Sequence, residues 1–439
     1  MGGARVRIRI PVAAAVMAAA VLCLTACGAG IGPREGTQTA AENVMIRLMS
    51  PWPDNDSLQN KLVERIVEEY MREHPEVTIT TEALENELYK DRLKVLSASN
   101  ALPDVGFSWA AGFLDPYVEG GLFTPLDDLL EGELRDRFVA GTTEAYMKNG
   151  KTYALPVELN IVPIFYNKAI FARHRLRPPE TFEELKDIIV RLREAGETPI
   201  SLGGKDAWTL SFWFMYLVDR VGGADLLDQA IETARFNDPR IIEAARLTQE
   251  LVGLNAFPNG FIGMSNEEAK ARFMAERAAM YAIGTWEVPN YTTNPDVPES
   301  FKDRIGFFPF PLVEGGEGRL NNWIGGPGVG LFVAENSKVK EEAKKFVAYF
   351  VKKWGEHAVA DAGIIPATKV DTGTVHLPKM YTELLKELRT ANKVTLYADV
   401  QMKPVAAEEH YTLVQALFGG AITPEEFALR QELALLKSR

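Results

Sequence analysis

Residues 44–80 read VMIRLMSPWPDNDSLQNKLVERIVEEYMREHPEVTIT, and the succession of periods in this stretch decides the fold class. Val44, Ile46 and Leu48 alternate with Met45 and Arg47, which is the two-residue period of a strand. Leu58, Leu62, Ile66 and Tyr70 then recur every four residues, with Val63 and Val67 beside them, as one apolar face of a helix. The Asp, Asn and Ser residues before Leu58 supply a cap, and His74-Pro75 supplies a stop. Val77 to Thr80 opens a second strand. Strand, helix and strand in this order predict a parallel βαβ unit and an α/β chain.

The same grammar continues outward. Asp91 to Ser99 reads as a helix, and Pro103 to Phe107 as a strand ending in Ser108-Trp109. Thr181 caps a helix that runs to Glu194, and Asp238 to Val252 forms another. From Glu341 to Trp354, the residues Ala343, Phe346, Val347, Phe350 and Trp354 share one face. There is no internal repeat of solenoid length.

The N-terminal segment sets the expected compartment. Arg5, Arg7 and Arg9 precede an apolar run from Ile10 to Leu24, about 15 residues and short of the roughly 20 a membrane-spanning helix needs. Residues 1–26 therefore read as a secretory signal. Leu24-Thr25-Ala26-Cys27 resembles the lipobox of bacterial lipoproteins, in which the cysteine becomes the lipid-carrying N-terminus; an ordinary cleaved signal is the other reading. Residues 27–43 are Gly, Thr, Ala and Gln with almost no large apolar residue, the composition of a tether. Both cysteines, Cys23 and Cys27, lie in this region, so no internal disulfide is expected and the remainder, about 410 residues, has to be stabilised by core burial.

The formal net charge is −12, and removal of a leader with three arginines and no acid makes the remainder more acidic. Such a surface disfavours nucleic acid and anionic lipid. Five histidines occur, none at metal-ligand spacing, and neither a metal nor a cofactor is expected.

Seven tryptophans are present, and Trp354 alone lies on a clear amphipathic helix, where core packing is the plain reading. Trp52, Trp109, Trp208, Trp213, Trp286 and Trp323 lie at strand ends or among Gly, Pro, Asn and Ser. Ligands of open α/β sheets bind beyond the carboxyl ends of the strands. Indoles there, beside Asp, Glu and Asn, make a stacking site with polar surroundings. A sugar fits that chemistry, since its C–H faces pack on aromatic planes and its hydroxyls both donate and accept. Three or four of the six are expected to line one cleft, the rest to pack in loops.

Longer stretches carry more. Gly150-Lys151-Thr152-Tyr153-Ala154-Leu155-Pro156, Phe165-Tyr166-Asn167-Lys168-Ala169-Ile170-Phe171 and Pro179-Glu180-Thr181-Phe182-Glu183-Glu184-Leu185 together resemble family 1 extracellular solute-binding proteins, the maltose-binding-like receptors of ABC sugar importers. Leu102-Pro103-Asp104-Val105, Gly121 to Asp127, Phe273 to Trp286, Glu342 to Phe346 and Ile365-Pro366-Ala367 are similar to that family's segments in the same order. The resemblance covers nearly the whole chain after the tether. Phe182 and Glu276 depart from it, standing where the family commonly has Trp and Gly.

The resemblance implies a type II periplasmic-binding-protein-like fold, with two α/β lobes, an interlobe cleft and a hinge. Crossings are expected near Pro156–Pro163 and Gly325–Gly330, giving lobe 1 as 44–158 plus 327–360 and lobe 2 as 159–326 plus 361–439. Gly325, Gly326, Gly328 and Gly330 suit a hinge strand or a tight turn. The implied protein is a monomer and no enzyme. It closes on a carbohydrate, di- or oligosaccharide in view of the many aromatics, and delivers it to the permease subunits of the importer.

Candidate ligand contacts follow by position. Trp52, Asp54 and Asn55 stand after the first strand, where Asp54 and Asn55 equally suit helix capping; Trp109 ends the strand near residue 105. Glu158 and Asn160 flank the first crossing, as contacts or as partners of hinge backbone. Trp208 and Trp213, with Lys205 nearby, sit in a second-lobe loop whose Phe212 and Phe214 read as core. Trp286 with Glu287, Trp323 with the Gly325 and Gly326 amides, and Asp399 complete the set. Three other functions compete, one of them a lipid-anchored adhesin, which would have no buried small-molecule cleft. A glycoside hydrolase would use two carboxylates such as Asp54 and Glu287, and a polyamine receptor of the same fold would pair the acidic loops with ammonium groups.

Overall fold

The computed structural model describes residues 43–55, 57–369 and 377–439; the leader, Cys27 and the tether up to residue 42 lie outside them. Apart from a short hairpin of Met147–Lys148 with Lys151–Thr152, its strands are β1 (Val44–Ser50), β2 (Val77–Ala83), β3 (Val105–Ser108), β4 (Leu155–Pro156), β5 (Leu159–Ile161) and β6 (Ile164–Asn167). They continue with β7 (Ile200–Ser201), β8 (Met280–Ala282), β9 (Ile305–Phe308), β10 (Asn322–Pro327), β11 (Gly330–Val333) and β12 (Lys393–Thr395). The helices that matter for the site are α1 (Leu58–Glu73), α2 (Asn86–Ala98), α3 (Trp208–Gly222), α4 (Asn266–Met274), α5 (Lys340–His357), α6 (Pro404–Phe418) and α7 (Pro424–Lys437).

The opening βαβ unit forms as its periods dictate. β1 pairs in parallel with β2, Val44 opposite Val77, and with β3, Leu48 opposite Val105. The cap of α1 is Ser57, whose Oγ accepts the Asn60 amide at 3.1 Å, and the helix ends at His74. Its apolar stripe is buried, and Tyr70 meets Phe346 of α5 edge-on at 5.1 Å. α2 begins at Asn86, ahead of the expected Asp91, because the Glu85 carboxylate accepts the amides of Glu87 and Leu88. Phe182 starts a helix closed by a Thr181–Glu184 capping box and is itself buried, so its departure from the common Trp is a change of packing.

Two sheets carry the molecule. The first has the order β2-β1-β3-β11-β4 and the second β9-β6-β8-β7. A third sheet, β12-β10-β5, holds the two strands that pass from one to the other, β5 and β10, with β12 paired in parallel beside β10. The chain leaves the first sheet at β4, runs through β5 and enters the second at β6; it returns through β10 into β11. β5 and β10 are antiparallel, with Gly325 opposite Ile161 and Gly326 opposite Asn160. A third segment lies along them: the Leu159 amide donates to the Ile365 carbonyl at 2.9 Å, and the Ala367 amide to Val157 at 3.0 Å.

The glycines of β10 are needed for extended pairing, so the tight-turn alternative falls. A Cβ on Gly325 would stand 2.1 Å from the Asn160 carbonyl oxygen, and Gly326 has φ +131°. Helix α3 clamps both crossings: the Tyr216 hydroxyl donates to the Val162 carbonyl at 2.5 Å and accepts the Ile324 amide at 3.2 Å. Behind it the buried Arg220 guanidinium reaches the carbonyls of Phe310 and Asn322 and pairs with Asp219.

The C-terminal helices pack on the second sheet's side through a buried polar centre. His410 on α6 is fully buried, with Nε2 2.8 Å from Ser211 Oγ on α3 and Nδ1 3.1 Å from Gln431 Oε1 on α7. Burial lowers its pKa from 6.5 to about 4. As pH falls, the unfolded chain takes up this proton first. The stability from a neutral His410 is therefore complete above pH 6.5 and is lost as pH falls through 4, by up to roughly 3 kcal/mol. Chemical denaturation between pH 7 and 4.5 should show this loss relative to His410→Gln, which removes the titration, while NMR shows the His410 ring still neutral at pH 5.5. A ring that titrates near 6.5 in the folded protein contradicts the assignment.

Candidate ligand-binding site

A cavity of about 500 Å³ opens between the two sheets, within the range of small-molecule sites. Its first wall comes from the loop after β1 with Trp52 and Asp54, from Trp109 just past β3, and from the start of α2 with Glu85, Asn86 and Lys90. Its second wall comes from Trp208 and Phe212 on α3, from Asn266, Glu267 and Lys270 on α4, and from Trp286 and Glu287 after β8. Glu158, Asn160 and Gly328 of the crossing strands reach it, as do Tyr397 and Asp399. Trp52, Trp109 and Trp286 thus stand beyond the carboxyl ends of β1, β3 and β8, where such sheets present ligand sites.

Each wall contributes two indoles. Trp52 is backed by Trp354, stacked at 5.4 Å and 21°, and by the edge of Phe107. Trp109 is braced by Tyr89 and Phe113, with Lys90 Nζ 4.8 Å from its ring centre. Opposite, Trp208 and Trp286 meet edge-on at 6.1 Å and share contacts with Phe212. Rings held from behind by other rings lose little further freedom on binding a ligand. The walls also touch directly. Gln59 Nε2 on α1 donates to the Trp286 carbonyl at 3.0 Å, Lys61 pairs with Asp296 at 3.3 Å, and Lys94 with Glu408 at 2.6 Å.

Other expected positions lie elsewhere. Trp213 is 1% exposed, packed edge-on to Phe257 and Phe310 in the core. Residues 208–222 are helix rather than loop, and the 3.6-residue turn puts Phe212 on the face of Trp208 while carrying Trp213 away. Phe212, expected in the core, lines the cavity and Trp213 does not. Trp323 is likewise 1% exposed, because its Asn- and Gly-rich surroundings are strand β10, with Trp323 opposite Val394. Gly325 and Gly326 are spent on the approach of β10 to β5 and do not line the cavity, and neither do Asn55 or Lys205. Lys90, Lys270, Asn86 and Tyr397 were not foreseen. The first three look like solvated helix residues until the opposite wall is placed against them.

Burial sets the charge of the site. Glu158 is 4% exposed, its pKa pushed up to about 7 by desolvation, against which Asn160 Nδ2 donates to Oε2 at 3.1 Å. Burial also raises Glu287, opposed by Lys270 at 3.9 Å and by the Asn290 amide at 2.8 Å. For Lys270 burial works against the charge, yet Glu287 and Glu267 keep its pKa above the usual value. Asp399 accepts the Tyr411 hydroxyl at 2.7 Å, and Asp206 accepts the Asn266 amide at 2.6 Å. The cavity therefore offers carboxyl groups that accept, and at neutral pH a Glu158 that also donates, between apolar faces.

The Glu158 shift has a measurable consequence. Its folded pKa stands above the unfolded value, so stability is complete below about 4.5 and is lost as pH rises through about 7. Glu158→Gln removes this dependence. In urea titrations of ligand-free protein, wild type should lose up to roughly 3 kcal/mol relative to E158Q between pH 4.5 and 8. Parallel pH profiles contradict the burial of this carboxyl.

Comparison with known proteins agrees with this geometry. The multiple sugar-binding protein of Streptococcus mutans is 25% identical over 309 residues, 65% of this chain and 71% of that one. The melibiose/raffinose/stachyose-binding protein of Bacillus subtilis is 22% identical over 403 residues, covering 88% and 84%. A solved structure from work on xylan utilization by Caldanaerobius polysaccharolyticus superimposes with a TM-score of 0.84 at 30% identity, over 89% of this chain and 99% of that one. The pattern of the bacterial extracellular solute-binding proteins matches residues 55–353, and the chain belongs to that family.

Proposed function

We propose that this protein is the extracytoplasmic binding component of an ABC importer, that it captures a neutral di- or oligosaccharide between its two walls, and that it hands the closed complex to the permease. The observation that carries the reading is the set of four braced indoles, two from each wall, around one cavity edged with carboxyl and amide groups. A ring sandwiched there gains stacking from both sides only when the walls approach, which couples binding to closure. Trp52, Asp54, Trp109, Glu158, Asn160, Trp208, Trp286, Glu287 and Asp399 are the proposed contacts, with Phe212 added. The sugar-binding relatives support the ligand class, and the likeness to the xylan-utilization structure makes xylo-oligosaccharides the first probes.

In this reading the protein works as a monomer, and lobe 1 takes residues 44–158 with 327–360 while lobe 2 takes the rest. Cys27 would carry the lipid that holds it at the outer face of the cell membrane. Among the described residues no helix is long and apolar enough to cross a membrane, so attachment would fall to that anchor. One observation favours a second ligand class: acidic side chains outnumber the two lysines along the cavity, as a polyamine would require.

Calorimetry separates the two. A xylo- or galacto-oligosaccharide should bind the chain with little change between low and high salt, and spermidine should not bind. Trp286→Ala should lower affinity by at least about thirtyfold, some 2 kcal/mol, whereas Trp213→Phe in the core leaves it unchanged. Binding of spermidine alone, weakened by salt, overturns the carbohydrate reading and keeps the fold.

A further inference from the structure

Most polar groups on the cavity wall are already spent within the protein. Glu158 accepts from Asn160, Asp399 from Tyr411, Asp206 from the Asn266 amide and Glu287 from Asn290. Tyr397 differs. It is 7% exposed and lines the cavity, and its buried hydroxyl has no hydrogen-bond partner in the protein. The titratable groups whose charge acts on that hydroxyl are Tyr216, Asp399, Glu158 and Tyr146. All four are committed elsewhere: Tyr216 to the crossings, Tyr146 Oη to the Gly328 carbonyl at 3.0 Å, Asp399 to Tyr411 and Glu158 to Asn160.

The ring itself is fixed. It packs on Phe212 at 5.4 Å and meets Trp286 edge-on at 6.4 Å, and the Tyr397 carbonyl accepts the Gln401 amide at 3.0 Å. A buried hydroxyl without a partner weakens the protein that carries it. A rigid one beside a stacking platform, with almost no accessible surface of its own, gains a partner only from a group pressed into the cavity against it. We propose that the Tyr397 hydroxyl reads the ligand, hydrogen-bonding a ring hydroxyl of the sugar that rests on Trp286 at the crossing-strand end of the cavity. This rests on the carbohydrate reading above and adds to it a group that selects among sugars by one hydroxyl position. The Asn86 Oδ1, also buried and unpartnered and also lining the cavity, marks the same kind of contact on the first wall.

Such a group has a signature that a structural hydroxyl lacks. Tyr397→Phe removes one oxygen from a site where, without ligand, that oxygen bonds nothing. The variant should melt at the same temperature as wild type or higher when ligand-free, yet bind the tightest oligosaccharide of a xylo-, malto- and galacto-series roughly tenfold more weakly. Tyr411→Phe is the comparison, since its hydroxyl is given to Asp399 and its loss should lower the ligand-free melting temperature. Lower ligand-free stability of Y397F, or unchanged affinity, overturns the proposal. A wild type that binds no oligosaccharide sinks the carbohydrate reading itself, and that is read from the wild-type arm alone.

Discussion

The contact on which everything else depends is the backbone pairing of β5 with β10, to which the segment around Ile365–Ala367 adds a third strand of chain. It joins two sheets that share no strand. It requires glycine at 325, where any side chain meets the Asn160 carbonyl, and it is held from behind by Tyr216, which bonds both crossings. Because the crossings are tied together over only a few residues, the walls can rotate about them without breaking either sheet. Hinge closure of this kind needs a few terminal residues that absorb the change, with the cores left intact.

The site inherits its character from that junction. Glu158 and Asn160 sit on β5 or beside it, so the most desolvated carboxyl of the cavity lies where the chain crosses. The aromatic walls stand further out on loops and helix starts of separate sheets, and their separation is set by the hinge. Cross-wall contacts such as Lys94 with Glu408 are exposed ion pairs of small individual worth. Such pairs add little to the separation that the crossing strands set. His410 and Glu158 impose opposite pH dependences over nearly the same range, one favouring the fold at higher pH and the other at lower, so in the wild type the two largely cancel.

Much of this was legible from residues alone, for reasons that can be named. Strand and helix periods were clean in 44–80, where one face of each element is buried and the other solvated. Trp52 and Trp109 follow strands whose ends could be seen, Trp286 was singled out by the family resemblance of Phe273 to Trp286, and all three line the cavity. Trp213 and Trp323 misled because a polar or small-residue neighbourhood was taken as loop, whereas one lies in a helix and the other in a glycine-bearing strand. Tyr397, Asn86 and Lys270 carried no local signal, since their roles arise only when distant segments meet. The third crossing segment was hidden for the same reason: Ile365-Pro366-Ala367 acquires its meaning from β5, two hundred residues earlier in the chain.

The proposed carbohydrate occupies the space between the two walls, against the crossing strands. A crystal structure of the chain from residue 43 onward, grown with a xylo-oligosaccharide, tests it most directly. Sugar rings are expected between the Trp52–Trp109 wall and the Trp208–Trp286 wall, with one ring hydroxyl within hydrogen-bond distance of Tyr397 or Glu158. Sugar bound on an outer surface, with the cavity closed and holding solvent alone, contradicts it.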